Sequence, residues 1–150
     1  MQFDRVCMLA SNATHDEVLE HLKSCAVLVR GLWVALSKNV HPESERHELF
    51  RDFVLLQFRK HAMITRKDLS DISVLPPAAV RTLLAGMAVL KPANGWMLKH
   101  EQDDVFCARY PEVVEEQERM WDERAPMIME HLKQLAATKA RSKRTPKSTK

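Results

Sequence analysis

Glycine is scarce in this sequence of 150 residues, which contains only Gly31, Gly86 and Gly95. A loop that wraps a phosphate group needs several glycines close together, so a nucleotide-binding loop is not expected. The three cysteines are widely spaced and form no CxxC pair, which argues against a disulfide framework or a zinc site and fits a reducing compartment. No apolar run approaches the roughly 18 residues of a membrane span. Residues 1–10 have no signal-peptide core, so we expect neither membrane insertion nor secretion.

Patterns that carry enzyme chemistry are also missing. There is no HExxH motif and no Cys–His group at metal-ligand spacing, and the seven histidines are scattered, as expected of surface or capping side chains. Four glutamates lie close together on a predicted helix, but paired carboxylates act as acid and base only in a pocket that separates their pKa values. We interpret them as a solvated face: Glu112, Glu115, Glu116 and Glu118. We therefore expect no enzymatic activity, no metal, no cofactor and no small-molecule substrate.

The net charge of +3 is unevenly distributed along the chain. Six of the 23 Lys and Arg residues follow position 138, whereas all 20 Asp and Glu residues precede it, so the segment 1–138 carries a net charge of −3. The segment 139–150 is rich in Lys, Ser and Thr and is predicted to be a disordered basic tail. Its composition suits nuclear import or attraction to phosphate, and a solubilising terminus without a specific role is the alternative.

The segment 44–100 predicts a complete small domain, in the order helix, short strand, helix, helix, strand, strand. Its third helix begins at a Pro-Pro pair and buries every third or fourth residue, and Asn94-Gly95 between two apolar runs is a strong hairpin signal. This order is typical of a winged helix, a helix-turn-helix variant closed by a β-hairpin. The first helix is predicted to bury a wide apolar face, and Thr65 is predicted to cap the second helix, with Asp68 at the acid position of a capping box. The predicted elements are Glu45–Lys60, Met63–Ile64, Lys67–Ser73, Pro76 to about Gly86, Ala88–Lys91 and Trp96–Lys99.

The segment 1–40 is predicted to form the second half of another winged helix, with one short helix, His15–Cys25, and a tight hairpin around Gly31. In both hairpins the sequence reads Ala-Val-Leu, a glycine turn and a tryptophan, which is a weak internal repeat. We expect Trp33 and Trp96 to pack beneath their hairpins rather than to be exposed for base stacking. The predicted fold is mainly α with small β-hairpins (α+β), with a partial winged helix at 1–40, a complete one at 44–100, a helical extension at 103–138 and the tail.

Four segments, taken in order, resemble a known family: Ala26–Ser37, Arg51–Leu69, Asn94–His100 and Tyr110–Trp121. They are similar to the tandem winged-helix region of the Sin-like fifth specific subunit of DNA-directed RNA polymerase III. The resemblance implies a non-catalytic subunit of the heterodimer that is similar to initiation factor F, with other RNA polymerase III subunits as partners. It also implies a nuclear location and support of transcription initiation, termination and reinitiation. The family's upstream β-rich module is not present, so the chain is expected to be a fragment or a reduced member.

A winged helix also allows the alternative of a DNA-binding transcription factor, and the third helix discriminates between the two readings. With its apolar row in the core, its outward residues are Ala78, Ala79, Arg81, Thr82 and Ala85. Direct reading of bases needs several Arg, Lys, Asn or Gln side chains, so this surface favours an interaction module. We expect at most weak, nonspecific and salt-sensitive nucleic-acid contact. The candidate residues for that contact are Arg66, Lys67, Arg81 and Lys91.

The last predicted helical region contains a repeated apolar stripe. Pro126 disfavours helical geometry at the preceding residue, so we expect one helix over Pro111–Arg124, followed over Pro126–Thr138 by a second helix or a kinked continuation of the first. The first helix should return to the winged helix and bury Trp121. The distal stripe is a candidate partner surface, and packing on its own domain is the alternative. The candidate residues are Met127, Ile128, Leu132 and Leu135.

Overall fold

The computed structural model describes residues 1–70, 72, 74–92 and 95–144, with 142–144 described by their backbone alone. Helices dominate and the strands form two small antiparallel sheets, so the predicted fold class is confirmed at this level. Among the described residues, no helix is long and apolar enough to cross a membrane. In chain order the elements are α1 (Phe3–Leu9), α2 (His15–Cys25), β1 (Ala26–Val29), β2 (Leu32–Ala35), α3 (Ser37–Val40), α4 (Glu45–Lys60), β3 (Met63–Thr65), α5 (Arg66–Ser70), α6 (Pro77–Met87), β4 (Ala88–Leu90), β5 (Gly95–Leu98), α7 (Asp104–Arg109) and α8 (Pro111–Arg144).

The amino-terminal region forms the predicted helix and hairpin. Helix α2 begins at a reciprocal capping box, in which the Thr14 hydroxyl accepts from the Glu17 backbone N–H and the Glu17 carboxylate accepts from the Thr14 N–H. The hairpin turn places Arg30 and Gly31 at φ 53° and 75°. Two successive left-handed residues match the twist of a two-residue hairpin, so the chain reverses directly from β1 into β2.

The prediction of a single helix in residues 1–40 is wrong, because α1 and α3 are additional helices. Helix α1 is fixed by Phe3, which is buried and lies with its ring centroid 5.2 Å from that of Phe106 and 5.4 Å from that of Tyr110. Helices of one or two turns are unstable alone, so contacts with residues about a hundred positions away decide their formation.

The middle region follows the predicted order from α4 to β5. Its sheet has the strand order β3-β5-β4, with Trp96 opposite Ile64 on one side and opposite Leu90 on the other. The apolar row of α6 is buried as predicted, at Val80, Leu83, Leu84 and Met87. Helix α5 ends at Ser70 rather than at Ser73. Residues 71 and 73 and the predicted turn residues 93 and 94 lie outside the described residues.

Helix α8 decides one open prediction and corrects another. It continues through Pro126 as one helix, so of the two predicted arrangements the continuation is observed and the separate second helix is not. Trp121 before the proline and Ile128 and Leu132 after it are buried in the same apolar cluster, which holds both halves in place although one backbone donor is missing. The helix also extends to Arg144, so residues 139–144 of the predicted disordered tail are helical, whereas 145–150 lie outside the described residues.

Two apolar clusters form the core. The larger one combines α4, the β3-β5-β4 sheet, α6 and the middle of α8, and the smaller one combines α1, α2, α7 and the start of α8. Strand β1 lies between them, because Val27 and Val29 belong to the larger cluster while Ala26 and Leu28 belong to the smaller one. Alternate residues of a strand point to opposite faces, so one strand serves both clusters.

Candidate nucleic-acid and partner surfaces

Three of the four predicted nucleic-acid contacts surround one cleft, which we call the cationic cleft. Arg66 and Lys67 at the start of α5 and Arg81 on α6 line this cleft, which has a volume of about 480 Å³. The structure therefore brings together residues that are up to 15 positions apart in the sequence. Lys91 does not line the cleft, although it directly follows Leu90, which does. The other lining residues are Thr65, Pro77, Val80, Leu84, Leu90 and Trp96.

A capping box positions the first two cations. The Asp68 carboxylate accepts from the Thr65 backbone N–H at 2.7 Å and from its hydroxyl at 3.0 Å, while the Asp68 N–H donates back to the hydroxyl at 3.4 Å. These bonds lower the pKa of Asp68 and begin α5 at Arg66, so Arg66 and Lys67 occupy its first turn. The predicted cap at Thr65 is confirmed.

The four candidate cations form no ion pair within the part of the chain that the structure describes. They are Arg66, Lys67, Arg81 and Lys91. Arg59, by contrast, pairs with Glu118 and Asp122 of α8, each at 2.6 Å. The charges beside the cationic cleft are therefore available to phosphate or to an acidic partner.

The outward face of α6 offers few groups that recognise bases. Its predicted outward residues are exposed or half-buried, and the Thr82 hydroxyl is already used as a donor to the Ala78 carbonyl oxygen at 3.0 Å. Arg81 is then the one remaining strong donor among the five outward side chains. Such a face contributes charge and small apolar contacts rather than sequence reading.

The hairpin tryptophans are buried, as predicted. Trp33 is 3% exposed and Trp96 is 8% exposed, so neither ring offers a face to a nucleic-acid base. Trp33 lies edge-on to Phe106, with ring centroids 5.9 Å apart, and its Nε1 has no hydrogen-bond partner among the described residues. Both rings therefore pack in the hydrophobic core.

The predicted partner surface on distal α8 is only partly a surface. Ile128 and Leu132 are buried at 4% and 0% exposure, so the assignment of these two residues to a free docking face is wrong. Leu135 is half-buried and packs on the same cluster, whereas Met127 is 67% exposed. The predicted apolar stripe is present, but the larger cluster extends far enough along α8 to cover most of it.

A buried polar network joins α3, α4 and α8, and sequence reasoning missed it. The Ser37 hydroxyl accepts from Arg51 Nη1 at 2.9 Å and donates to Asp52 at 2.6 Å, and Asp52 also pairs with Arg124 at 2.8 Å. Arg51 Nη1 donates as well to the Ala35 carbonyl oxygen at 2.7 Å, and burial lowers the pKa of Arg51. The sequence signal that could have indicated this network is the adjacent charged pair Arg51 and Asp52 within the apolar stretch of α4.

A second cavity lies between β2 and α6, and we call it the β2–α6 groove. It has a volume of about 830 Å³. The outward α6 residues Ala78, Ala79 and Thr82 line it opposite Leu32 and Val34 of β2. The small side chains that make α6 unsuited to bases therefore form one wall of an apolar groove.

Histidines and cysteines have no metal-site arrangement. The described residues contain no group of three or more His, Cys, Asp or Glu placed to hold a metal ion. His47 Nδ1 lies 2.7 Å from the hydroxyl of Ser44, which is the residue that caps α4 by accepting from the His47 backbone N–H. The cysteines are free, and burial raises the pKa of the Cys7 and Cys107 thiols, which disfavours the reactive thiolate.

Comparison of the chain with known proteins identifies its family. No curated protein gives a match to the chain. A family model described as RPC5 protein matches residues 1–130, which covers α1 to α7 and more than half of α8. That region contains the cationic cleft and the β2–α6 groove. The chain therefore belongs to the RPC5 family, a family of non-catalytic RNA polymerase III subunits.

Proposed function

We propose that this chain is a protein–protein interaction module of RNA polymerase III that supports transcription initiation, termination and reinitiation. Family membership supports the polymerase and a nuclear location. The observation that carries the interaction role is the outward face of α6, where small residues line a groove and one arginine is the remaining strong donor. Such a face suits contact with protein better than reading of bases.

The element order supports two winged-helix units. Residues 44–100 contain three helices and a three-stranded sheet in which the last two strands form a hairpin, the arrangement expected of a winged helix. Residues 1–40 contribute α2 and the β1–β2 hairpin as a partial copy, with 103–138 as the helical extension. We propose this division because both hairpins follow a helix directly and place a tryptophan in the return strand.

The test is affinity purification of the tagged chain from nuclear extract, with identification of the co-purifying proteins. We expect RNA polymerase III subunits to be recovered at physiological salt. A parallel purification with Trp121→Ala, which removes a fully buried ring, should lose them because the surfaces are no longer held in place. Recovery without any RNA polymerase III subunit would contradict the proposal.

Nonspecific nucleic-acid contact is a second candidate function, favoured by the three uncommitted cations at the cationic cleft. Each phosphate neutralised on duplex DNA adds about −0.9 to the slope of log affinity against log salt. Three contacts predict a slope of about −3 and affinity that becomes weak at about 200 mM salt. Fluorescence anisotropy with a random-sequence duplex measures both quantities.

The matched variants compare cations on two faces. Replacing Arg66, Lys67 and Arg81 with Gln should abolish most of the salt-dependent binding. Replacing the exposed Arg46, Lys60 and Lys133 with Gln removes the same charge elsewhere and should reduce binding much less. Equal losses would mean that only net charge matters. Tight binding that survives about 200 mM salt would instead support the DNA-binding transcription factor.

A further inference from the structure

The β2–α6 groove is open because its α6 wall has little side-chain volume. Ala78, Ala79 and Gly86 lie along that wall, and a Cβ added at Gly86 would meet no atom within 4 Å. The opposite wall is aliphatic, formed by Leu32, Val34 and Ala35 of β2. An apolar groove of about 830 Å³ falls within the range of cavities that hold a ligand or a short chain segment.

Basic side chains surround this apolar floor. His41 and His47 reach it from the end of α3 and from α4, and Lys99 and His100 reach it from the segment after β5. No acidic residue lines the groove among the described residues. The His41 and His47 rings lie with centroids 5.1 Å apart. The groove therefore combines an apolar floor with basic side chains and has no carboxylate in its described lining.

The buried Arg51 adds to this field. Its Nη1 is fixed by the Ala35 carbonyl oxygen and the Ser37 hydroxyl, so the guanidinium is held in one position at the groove wall. Burial lowers the pKa of His41, and the nearby His47 and Arg51 charges lower it further. Burial is the larger of these causes, and the close approach of the basic groups adds to it, so a negative group placed at this end of the groove would have basic partners within reach.

We propose that the β2–α6 groove binds a short acidic segment of a partner protein, with an aliphatic or aromatic side chain on the apolar floor and carboxylates at the cationic ends. This inference deepens the proposed interaction role and rests on it. A nucleic-acid strand is the poorer fit, because its bases find no exposed aromatic ring: the one tryptophan that lines the groove, Trp33, is 3% exposed. Charge complementarity selects the partner and the apolar floor supplies most of the affinity.

The experiment selects ligands without assuming a polymerase. The full chain is used to select from a random peptide library, and the selected peptides are then titrated against it by fluorescence anisotropy. We expect enrichment of Asp and Glu around Leu or Phe, and loss of binding when the acids are replaced by Asn and Gln. Selected peptides without acidic enrichment would overturn the proposal.

Two pairs of variants locate the binding. Gly86→Leu places a side chain in the groove and should weaken peptide binding by about tenfold or more, which corresponds to about 1.4 kcal/mol. Ala85→Leu adds the same kind of side chain on the same helix at an exposed position that does not line the groove, and should change affinity less than about twofold. Lys99→Glu should weaken binding, whereas Lys91→Glu, outside the groove, should not.

The remaining outcomes distinguish other occupants. Equal effects of Gly86→Leu and Ala85→Leu would overturn the groove as the site. Displacement of the peptide by single-stranded oligothymidine, itself sensitive to Gly86→Leu, would assign the groove to nucleic acid. A dimer in gel filtration that Gly86→Leu dissociates would assign it to a second copy. Specific acidic-peptide binding without co-purifying polymerase subunits would retain the groove and reject the polymerase role.

Discussion

Leu28 faces Trp33 across the β1–β2 hairpin, and Leu90 faces Trp96 across the β4–β5 hairpin, so the two hairpins have equivalent pairs. Their environments differ, because Leu28 is 4% exposed and Leu90 is 43% exposed. The tryptophans are buried in both cases. The same Ala-Val-Leu pattern therefore forms an internal strand in the β1–β2 hairpin and a half-exposed strand in the β4–β5 hairpin.

Helix α8 accounts for the difference. The Leu28 backbone N–H donates to Gln117 Oε1 at 3.0 Å, and the Leu28 carbonyl oxygen accepts from Trp121 Nε1 at 2.9 Å, so α8 satisfies the outer edge of β1. Strand β4 is the outer strand of its sheet. The comparison shows that β1 of the first hairpin is used for internal packing, which leaves β2, the second hairpin and α5–α6 to line the surfaces proposed for partners.

The largest expected effect comes from removing the ring that covers the first hairpin. Trp121→Ala should lower the free energy of unfolding by about 3–5 kcal/mol, because a fully buried ring and its hydrogen bond are lost. Urea unfolding followed by circular dichroism measures the change. Met127→Ala on the same helix, at a 67% exposed position, is the control and should stay within about 0.5 kcal/mol of the wild type.

The next effect compares the two cross-strand leucines directly. Leu28→Ala should cost about 2–5 kcal/mol, because the side chain lies in a closed cluster. Leu90→Ala should cost less than about 1 kcal/mol, since much of that side chain is already in water. Urea unfolding of both variants gives the difference. Similar costs would show that the second hairpin is covered in solution and would contradict the contrast between the hairpins.

A smaller effect is expected from the turn of the first hairpin. Gly31→Ala should cost about 1–3 kcal/mol, because φ is +75° and the new Cβ would lie 2.5 Å from the Asp103 carbonyl oxygen. Gly86→Ala should instead stabilise the protein by up to about 1 kcal/mol, since it adds helix propensity in open space. Thermal unfolding distinguishes the two signs. A Gly31→Ala variant as stable as the wild type would contradict the tight approach of the Asp103 carbonyl oxygen to the turn, and a destabilised Gly86→Ala variant would contradict the open space at Gly86.

The smallest effect is expected from the Thr65 cap at the start of α5. Thr65→Ala should cost about 1 kcal/mol at neutral pH, because the Asp68 backbone N–H loses its acceptor. The bonds from Thr65 lower the pKa of Asp68 below its ordinary value of 3.8, so they stabilise the fold above that pH and the contribution disappears as pH falls through the lowered pKa. The difference between wild type and variant should therefore narrow in acid. If the stability difference between wild type and Thr65→Ala stayed the same at all pH values, the Asp68 carboxylate would not contribute to the effect of the cap.

The sequence predicted those elements whose signals are local. The apolar rows of α4 and α6, the Thr65 cap and the glycine turn at Gly31 each depend on residues within a few positions, and the structure contains all of them. The sequence predicted the three basic residues of the cationic cleft but not that they line one cleft. That arrangement depends on the fold, which brings Arg81 beside Arg66 and Lys67.

The features that were missed or left open depend on distant contacts. Helix α1 was missed, and it forms because Phe3 packs on Phe106 and Tyr110. The path of the chain past Pro126 was left open, and it stays helical because both halves of α8 are buried in one cluster. Neither contact has a local signature. The β2–α6 groove was missed for the same reason: the alanines of α6 were recognised as poor base readers, but nothing local indicated that β2 lies opposite them.

The position of β1 between the two clusters has a consequence for cooperativity. Val27 and Val29 face one cluster and Ala26 and Leu28 the other, so withdrawal of this single strand opens both. Neither cluster can lose β1 without exposing apolar surface of its neighbour. We therefore expect the two clusters to unfold in a single transition, and the amide hydrogens along β1 to exchange with solvent only on global unfolding.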